Sequence, residues 1–315
     1  MKLLTIGGLL VEIMRKNIDE PFTESHSFVG PFPSGDTPIF INEAAKLGNE
    51  CTIIGTVGND GFGDCIVNRL QESGVDTSVI KVKEGYTTGT AFVAYFGDGT
   101  RQFLYHWRHS AAGMITEEDI DAIDLTEFDW LHVTGITLAV NNHCKKAVER
   151  LIEKLPSTTT LSFDPNIRPE VLSAEEIRVL CEPIIKRSEY IFPSATEASM
   201  LTGLKDDVSG CKEWAKQGKT VILKNGEKGC IVFHKDEMLE IPSFKVEEVD
   251  PTGAGDTFCA GFVTAIGDGM SLYDAGRFAN AAGALSVKNK GPMEGASTKK
   301  EVELFLKEQE RTTTH

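Results

Sequence analysis

The sequence predicts an α/β fold in which a mostly parallel central sheet is covered by helices on both faces. Three observations carry this expectation. Short apolar runs alternate with longer amphipathic stretches along most of the chain, the pattern of strands joined by helical crossovers. The length of 315 residues suits one large α/β domain over 1–315 carrying a small addition, and does not require two equal domains. A composition of 41% hydrophobic and 25% charged residues supplies a core and excludes wholesale disorder or a fibrous fold.

In chain order, strands are expected over 2–6, 51–57, 130–133, 160–163, 190–192 and 220–223. Helical periodicity places helices between them over 39–47, 63–73, 142–155 and 174–185, so the connections are long enough for parallel pairing. Three further helices follow over 255–265, 272–287 and 299–308, and the tail 311–315 is expected to fray. Two regions break the rhythm. Segment 14–33 is rich in polar residues, Pro and Gly, and over 88–107 two β-rich runs flank the turn Gly97, Asp98, Gly99. Phe92, Tyr95, Phe96, Phe103, Tyr105 and Trp107 fall in both alternating registers, more than an isolated hairpin can bury. These two segments are therefore expected to join as a small β-sheet lid over the site; the plainer alternative is a loop and a surface hairpin. A second hairpin, turning at Asn225 and Gly226, reads as structural.

Lys and Arg total 32 against 47 Asp and Glu, a formal charge of -15 that repels nucleic acid and anionic membrane surfaces. Any phosphate-bearing ligand must then be held by a local device. The seven cysteines include no CxxC pair, which argues against a disulfide framework or zinc knuckle and points to a reducing cytoplasm. The apolar run after Lys2 meets Gly7 and Gly8 too early for a signal peptide, and no apolar stretch reaches the ~18 residues of a membrane span.

That local device is expected at 248–262, EVDPTGAGDTFCAGF. Pro251 ends an extended segment, and Gly253, Ala254 and Gly255 form a small-residue turn at the start of an apolar helix, so bare backbone N–H groups face one spot. Such a cradle suits the charge developing on a transferred phosphoryl group. Asp256 follows directly and is placed to take a proton from an attacking hydroxyl. The plainer alternatives are a turn that permits close packing and an Asp that caps the helix. A GxxxxGK[ST] loop and a dinucleotide GxGxxG are both absent from the sequence.

DPTGAGD at 250–256 and GTVGNDGFG at 55–63 resemble the C-terminal and N-terminal signatures of the ribokinase-like, or PfkB, carbohydrate kinases, and the likeness extends over essentially the whole chain. FDPNIRPEVL at 163–172 is similar to the 2-keto-3-deoxygluconate kinase and ketose kinase subgroup. The resemblance implies ATP with Mg2+ as phosphoryl donor and a lid that closes over the sugar. It makes Asp256 the general base, gives the Gly253, Ala254 and Gly255 amides to the phosphoryl group, and turns Arg168 toward substrate or phosphate. Glu197 falls on a glutamate that organises Mg2+ through water, although Ser194 replaces the accompanying asparagine; by spacing alone Glu197 reads as a solvated helix residue. Lys224, Gly226, Gly229 and Asn280 would meet the nucleotide, though by themselves they read as a hairpin turn and a local backbone partner. Asp250 would lie near a monovalent cation such as K+, and exposed lid apolars would seal a homodimer.

On the sugar side the likeness loosens. Ser34 and Ile39 stand where relatives carry Gly and Asn, around Gly35 and Asp36, and Glu12 replaces a shorter acid. Tyr105 and Trp107 would cover the sugar ring, and Arg108 follows the position of the relatives' arginine. An Arg108 facing outward implies a neutral ketose; facing inward, it leaves a sugar acid open. The expected activity is therefore phosphorylation of the terminal hydroxymethyl of a ketose or keto-sugar acid of the 2-keto-3-deoxygluconate, tagatose or fructose type. A nucleoside kinase and a non-catalytic sugar or nucleotide sensor are the rivals.

Overall fold

The computed structural model describes residues 1–167 and 173–313. Nine strands form the central sheet in the spatial order Glu237–Ile241, Cys230–His234, Thr220–Lys224, Tyr190–Ile191, Thr160–Asp164, Trp130–Thr134, Lys2–Ile6, Glu50–Ile54 and Val75–Asp76. Pairing is parallel from Thr220–Lys224 to the Val75–Asp76 edge, and the two strands at the other end are antiparallel hairpin additions. Alternation along the strands feeds two apolar layers. In Lys2–Ile6, Leu3 joins the layer of Phe40, Phe192, Phe262 and Phe278, whereas Leu4 and Ile6 join that of Phe163, Ile184 and Trp214. The parallel strands end with Asp164 and Lys224 on one edge of the sheet, the edge where open α/β sheets bind ligands.

A separate four-stranded sheet has the order Phe28–Ser34, Leu10–Arg15, Gly89–Tyr95, Arg101–His106. Leu10–Arg15 runs parallel to Gly89–Tyr95, and the outer pairs are antiparallel. The polar stretch inside 14–33 is held by Arg15, whose guanidinium donates to the carbonyls of Pro21, Glu24 and His26 and lies 4.1 Å from the Phe28 ring centre.

Four sequence expectations need correction. The strand expected over 51–57 breaks at Gly55, where a Cβ would lie 2.7 Å from Leu9 Cδ1; Glu50–Ile54 stays in the main sheet and Thr56–Val57 pairs with Lys81–Val82. The helix expected from residue 39 begins at Asp36, because Pro38 falls in its first turn, where a missing N–H breaks no helical bond. The C-terminal helix expected over 299–308 extends over Lys299–Thr313, and 314–315 of the tail expected to fray lie outside the described residues. The strand Glu237–Ile241 and the helices Gly135–Ala139 and Asp207–Lys216 were not anticipated.

Candidate active site

Pro251, Thr252 and Gly253 lead into the helix Ala254–Gly267. Gly253 is its N-cap at φ 78°, a left-handed conformation, and a Cβ there would meet Ile39 Cγ2 and the Pro292 carbonyl oxygen at 2.9 Å each. As a glycine, the N-cap offers no side chain to the helix N-terminus. Asp256 stands in the first turn, and it and Gly253 line a cavity of about 130 Å³. The opening of a 14-residue helix, with its favourable dipole end, faces the same region as a carboxylate.

Beneath the turn lies a buried ion pair. Lys224 Nζ, at the end of its strand, bonds Asp164 Oδ2, and a Cβ at Gly255 would lie 3.7 Å from that ammonium. Burial alone would lower the pKa of Lys224; the surrounding acids, Asp164 foremost, outweigh it and hold the ammonium charged. Asp164 Oδ1 also accepts the Asn166 amide at 3.0 Å, and the Cys259 thiol lies 3.5 Å from Oδ2. Glu197 is not a solvated helix residue: it is buried, with Oε1 accepting the Ile167 amide at 2.7 Å and Oε2 the Ser194 amide at 2.6 Å. Burial, then the Asp164 charge, pushes its pKa up. The N-terminus of its short helix forms around a left-handed Thr196, a placement that spacing alone does not reveal.

The opposite wall of the cavity comes from the small sheet and the start of the helix Asp36–Lys46. Glu12, Gly35, Asp36, Tyr105 and Trp107 all reach it. Asp36 accepts the Thr37 amide at 2.8 Å and the Asn166 side-chain amide at 3.0 Å, and burial raises its pKa. Glu12 Oε1 accepts the Ser34 hydroxyl at 2.7 Å, while its buried Oε2 has no hydrogen-bond partner among the described residues. Burial and the Asp250 charge push Glu12 up to about 7 against the opposing pull of Ser34 and Arg101. Tyr105 and Trp107 stack with ring centres 5.3 Å apart.

Arg108 is not a cavity residue. The strand Arg101–His106 ends before it, and the chain turns, so its side chain borders a different, open depression with Asn141, Lys145 and Glu176. Arg101 lines the main cavity instead, with Phe103 and Tyr105 on the same strand face. Sequence reasoning missed Arg101; the period-2 spacing to Tyr105 was the available signal. Asn166 was missed likewise, although it sits in the quoted FDPNIRPEVL run. Arg168 lies outside the described residues.

Gly226 and Gly229 form the expected hairpin turn, with the Gly229 amide donating to the Gly226 carbonyl at 3.0 Å. Asn280 is buried and spends its amide hydrogens on the Ile241 and Pro242 carbonyls at 3.1 and 3.2 Å, backbone partners that are distant in sequence rather than local. Asp250 is buried as well; Oδ1 accepts the Tyr95 hydroxyl and the Thr252 amide at 3.0 Å each, and Oδ2 the Gly291 amide at 2.9 Å.

With this geometry in view, the model of the pfkB family carbohydrate kinases matches residues 41–299. The chain belongs to the pfkB family of carbohydrate kinases. Curated relatives include the probable fructokinase-3 of Arabidopsis thaliana, 29% identical over 99% of this kinase and 93% of the relative, and fructokinase-1 of Oryza sativa subsp. japonica, 29% identical over 95% of each chain. Among solved structures, an Escherichia coli chain provisionally named ribokinase II, in complex with ATP and Mg2+, superposes with a TM-score of 0.91 at 36% identity, covering 98% of this kinase and 99% of that chain. The Vibrio cholerae O395 fructokinase with fructose, ADP and calcium gives 0.83 at 25%, covering 97% and 98%. The fold is ribokinase-like, and the protein is an ATP-dependent carbohydrate kinase. No helix among the described residues is long and apolar enough to cross a membrane.

Proposed function

We propose that this kinase transfers the γ-phosphoryl group of ATP to the terminal hydroxymethyl of a neutral ketose of the fructose type. The observation that carries the reading is that Asp256 and the Gly253 turn share one cavity with Glu12 and Asp36. Asp256 takes the hydroxyl proton as the oxygen attacks, and the amides of Gly253, Ala254 and Gly255 receive the charge that builds on the phosphoryl oxygens. Glu12 Oε2 and Asp36 accept sugar hydroxyls, Gly35 keeps the backbone close, and the aromatic faces of Tyr105 and Trp107 cover the ring. Three acids, Glu12, Asp36 and Asp256, face the cavity against Arg101, and Arg108 is turned away, a balance that disfavours a substrate carboxylate. The fructokinase names of the curated relatives lean the same way.

We place the nucleotide on the far side of the Gly253 turn, along the Gly226 and Gly229 hairpin and the helix that carries Asn280, with Lys224 supplying positive charge from below. Mg2+ offsets phosphate charge when ATP binds. Among the described residues no group of three or more His, Cys, Asp or Glu could hold a metal, and both Glu197 oxygens already accept amides. These residues fit an ion carried by the phosphates and its own waters, with Glu197 reached through water, better than a protein cage. Asp250 is so fully engaged that its geometry lends no support to a K+ ligand role. The small sheet serves as the lid over the sugar, and its edge strand Arg101–His106, exposed along its whole length, suits a second copy of the chain.

The test is product formation across fructose, tagatose, 2-keto-3-deoxygluconate and a riboside, with Asp256→Asn beside the wild type. Fructose-type turnover is expected, with a loss of about 10²–10⁴-fold in kcat for Asp256→Asn and retained ATP binding. A riboside preference would favour the nucleoside kinase, and silence on every sugar despite tight binding would favour the sensor.

A further inference from the structure

Tyr95 ends the strand Gly89–Tyr95 of the small sheet, yet its hydroxyl bonds outside that sheet. It donates to Asp250 Oδ1 at 3.0 Å and shares a hydrogen bond with the Thr252 hydroxyl. Asp250 is 3% exposed and grips both the Thr252 amide and, through Oδ2, the Gly291 amide. Thr252 immediately precedes Gly253, the N-cap of the helix bearing Asp256. Across the small sheet Tyr95 is paired with Arg101. Directly opposed residues of an antiparallel pair project from the same face. Arg101, Phe103 and Tyr105 line the sugar cavity from that strand. One hairpin therefore covers the sugar and also holds the turn that opens the catalytic helix.

Resting on the kinase reading above, we propose that Tyr95 is a positioning residue that couples occupation of the sugar cavity to the geometry of the Thr252–Gly253 turn. A sugar seated against Arg101 and Tyr105 fixes the hairpin; the phenol passes that constraint to Asp250 and Thr252, and so to the amides at Gly253 and beyond. With the hairpin unfixed, the turn is held less firmly and γ-phosphoryl transfer is slow, which protects ATP from attack by water. Burial and the Asp250 charge raise the Tyr95 pKa, so the phenol keeps its proton and remains a donor.

Tyr95→Phe keeps the ring and removes the hydroxyl; Thr252→Val removes the hydroxyl at the other end. ADP and sugar phosphate are measured in parallel on the full chain, with Tm as a control for folding. In the wild type sugar is expected to raise ADP release far above the rate without sugar; both variants are expected to lose most of that stimulation, with the slow sugar-free hydrolysis unchanged. Their kcat should drop about tenfold to a hundredfold, with the sugar KM within about twofold of wild type. Thr252→Ser, which retains the hydroxyl, should restore coupling. If Tyr95→Phe and Thr252→Val, both folded, keep the wild-type stimulation by sugar and the wild-type kcat, Tyr95 has no coupling role. That outcome is distinct from failure of the kinase reading, in which the wild type itself phosphorylates no sugar.

Discussion

The Ser34 hydroxyl donates to Glu12 Oε1 at 2.7 Å, which leaves Oε2 as the carboxylate oxygen without a partner among the described residues at the wall of the sugar cavity. The Ser34 side chain thereby fixes the orientation of this acid.

Loss of that hydroxyl is therefore expected to weaken sugar binding rather than chemistry. A hydrogen bond to a charged group contributes about 1.5–3 kcal/mol, so Ser34→Ala should raise the sugar KM about 10- to 100-fold with little change in kcat. Glu12 sits at about 7, so the ionised acceptor is lost as pH falls through that value, and affinity should fall with it. Ser34 favours the ionised form, so its removal should move the inflection of 1/KM against pH upward. Saturation kinetics across the pH range check both.

Two neighbouring glycines should respond oppositely to alanine. At Gly253 the φ of 78° and the 2.9 Å approach to the Pro292 oxygen predict a loss of at least about 1–2 kcal/mol in stability. At Gly255 a Cβ would meet only Lys224 Nζ, at 3.7 Å, so Gly255→Ala should fold with an unchanged Tm. Its methyl group stands beside the amides offered to the phosphoryl oxygens, and kcat should fall about 10²-fold. Thermal melts and steady-state rates on both variants separate the effects.

Glu43 gives a stability prediction away from the site. It lies fully buried in the helix Asp36–Lys46, with Oε2 accepting the Ser297 amide at 3.0 Å and Oε1 unpartnered among the described residues. Burial pushes it up to about 8, from 4.5 in an unfolded chain. The folded state thus binds this proton more tightly. Its contribution is complete below about pH 4.5 and is lost progressively as pH rises to about 8. Glu43→Gln should flatten this part of the decline, read from urea midpoints between about pH 5 and 8.5; an unchanged slope would exclude Glu43 as its source.

The parts of this molecule that are legible in its sequence are those set by local chemistry. The crossover helices announce themselves by periodicity, and the Gly253–Asp256 turn by small residues bracketed by Pro251 and an apolar helix. The misreadings share a non-local cause. Tyr95 and Asp250 are 155 positions apart, and nothing near either one names the other. Arg101 is hard to place because every residue of its edge strand is exposed, which erases the alternation that would tell its faces apart. The orientation of Arg108 stayed open because whether its strand continues depends on a turn rather than on propensity. Glu197 read as solvated because its burial comes from the segments around Ser194 and Ile167 folding over it.

Ile39 closes the cavity with hydrocarbon and at the same time rests against the backbone of Gly253. A polar replacement introduced to recognise an additional substrate group would press on the element that receives the phosphoryl charge, so selectivity and rate are mechanically tied on that side. The exposed Arg101–His106 strand reaches that turn only through Tyr95 on the neighbouring strand, so a substitution there does not press on it directly. New sugar preferences in this scaffold should therefore be engineered, and should have diverged, from the roof of the pocket downward rather than from its base.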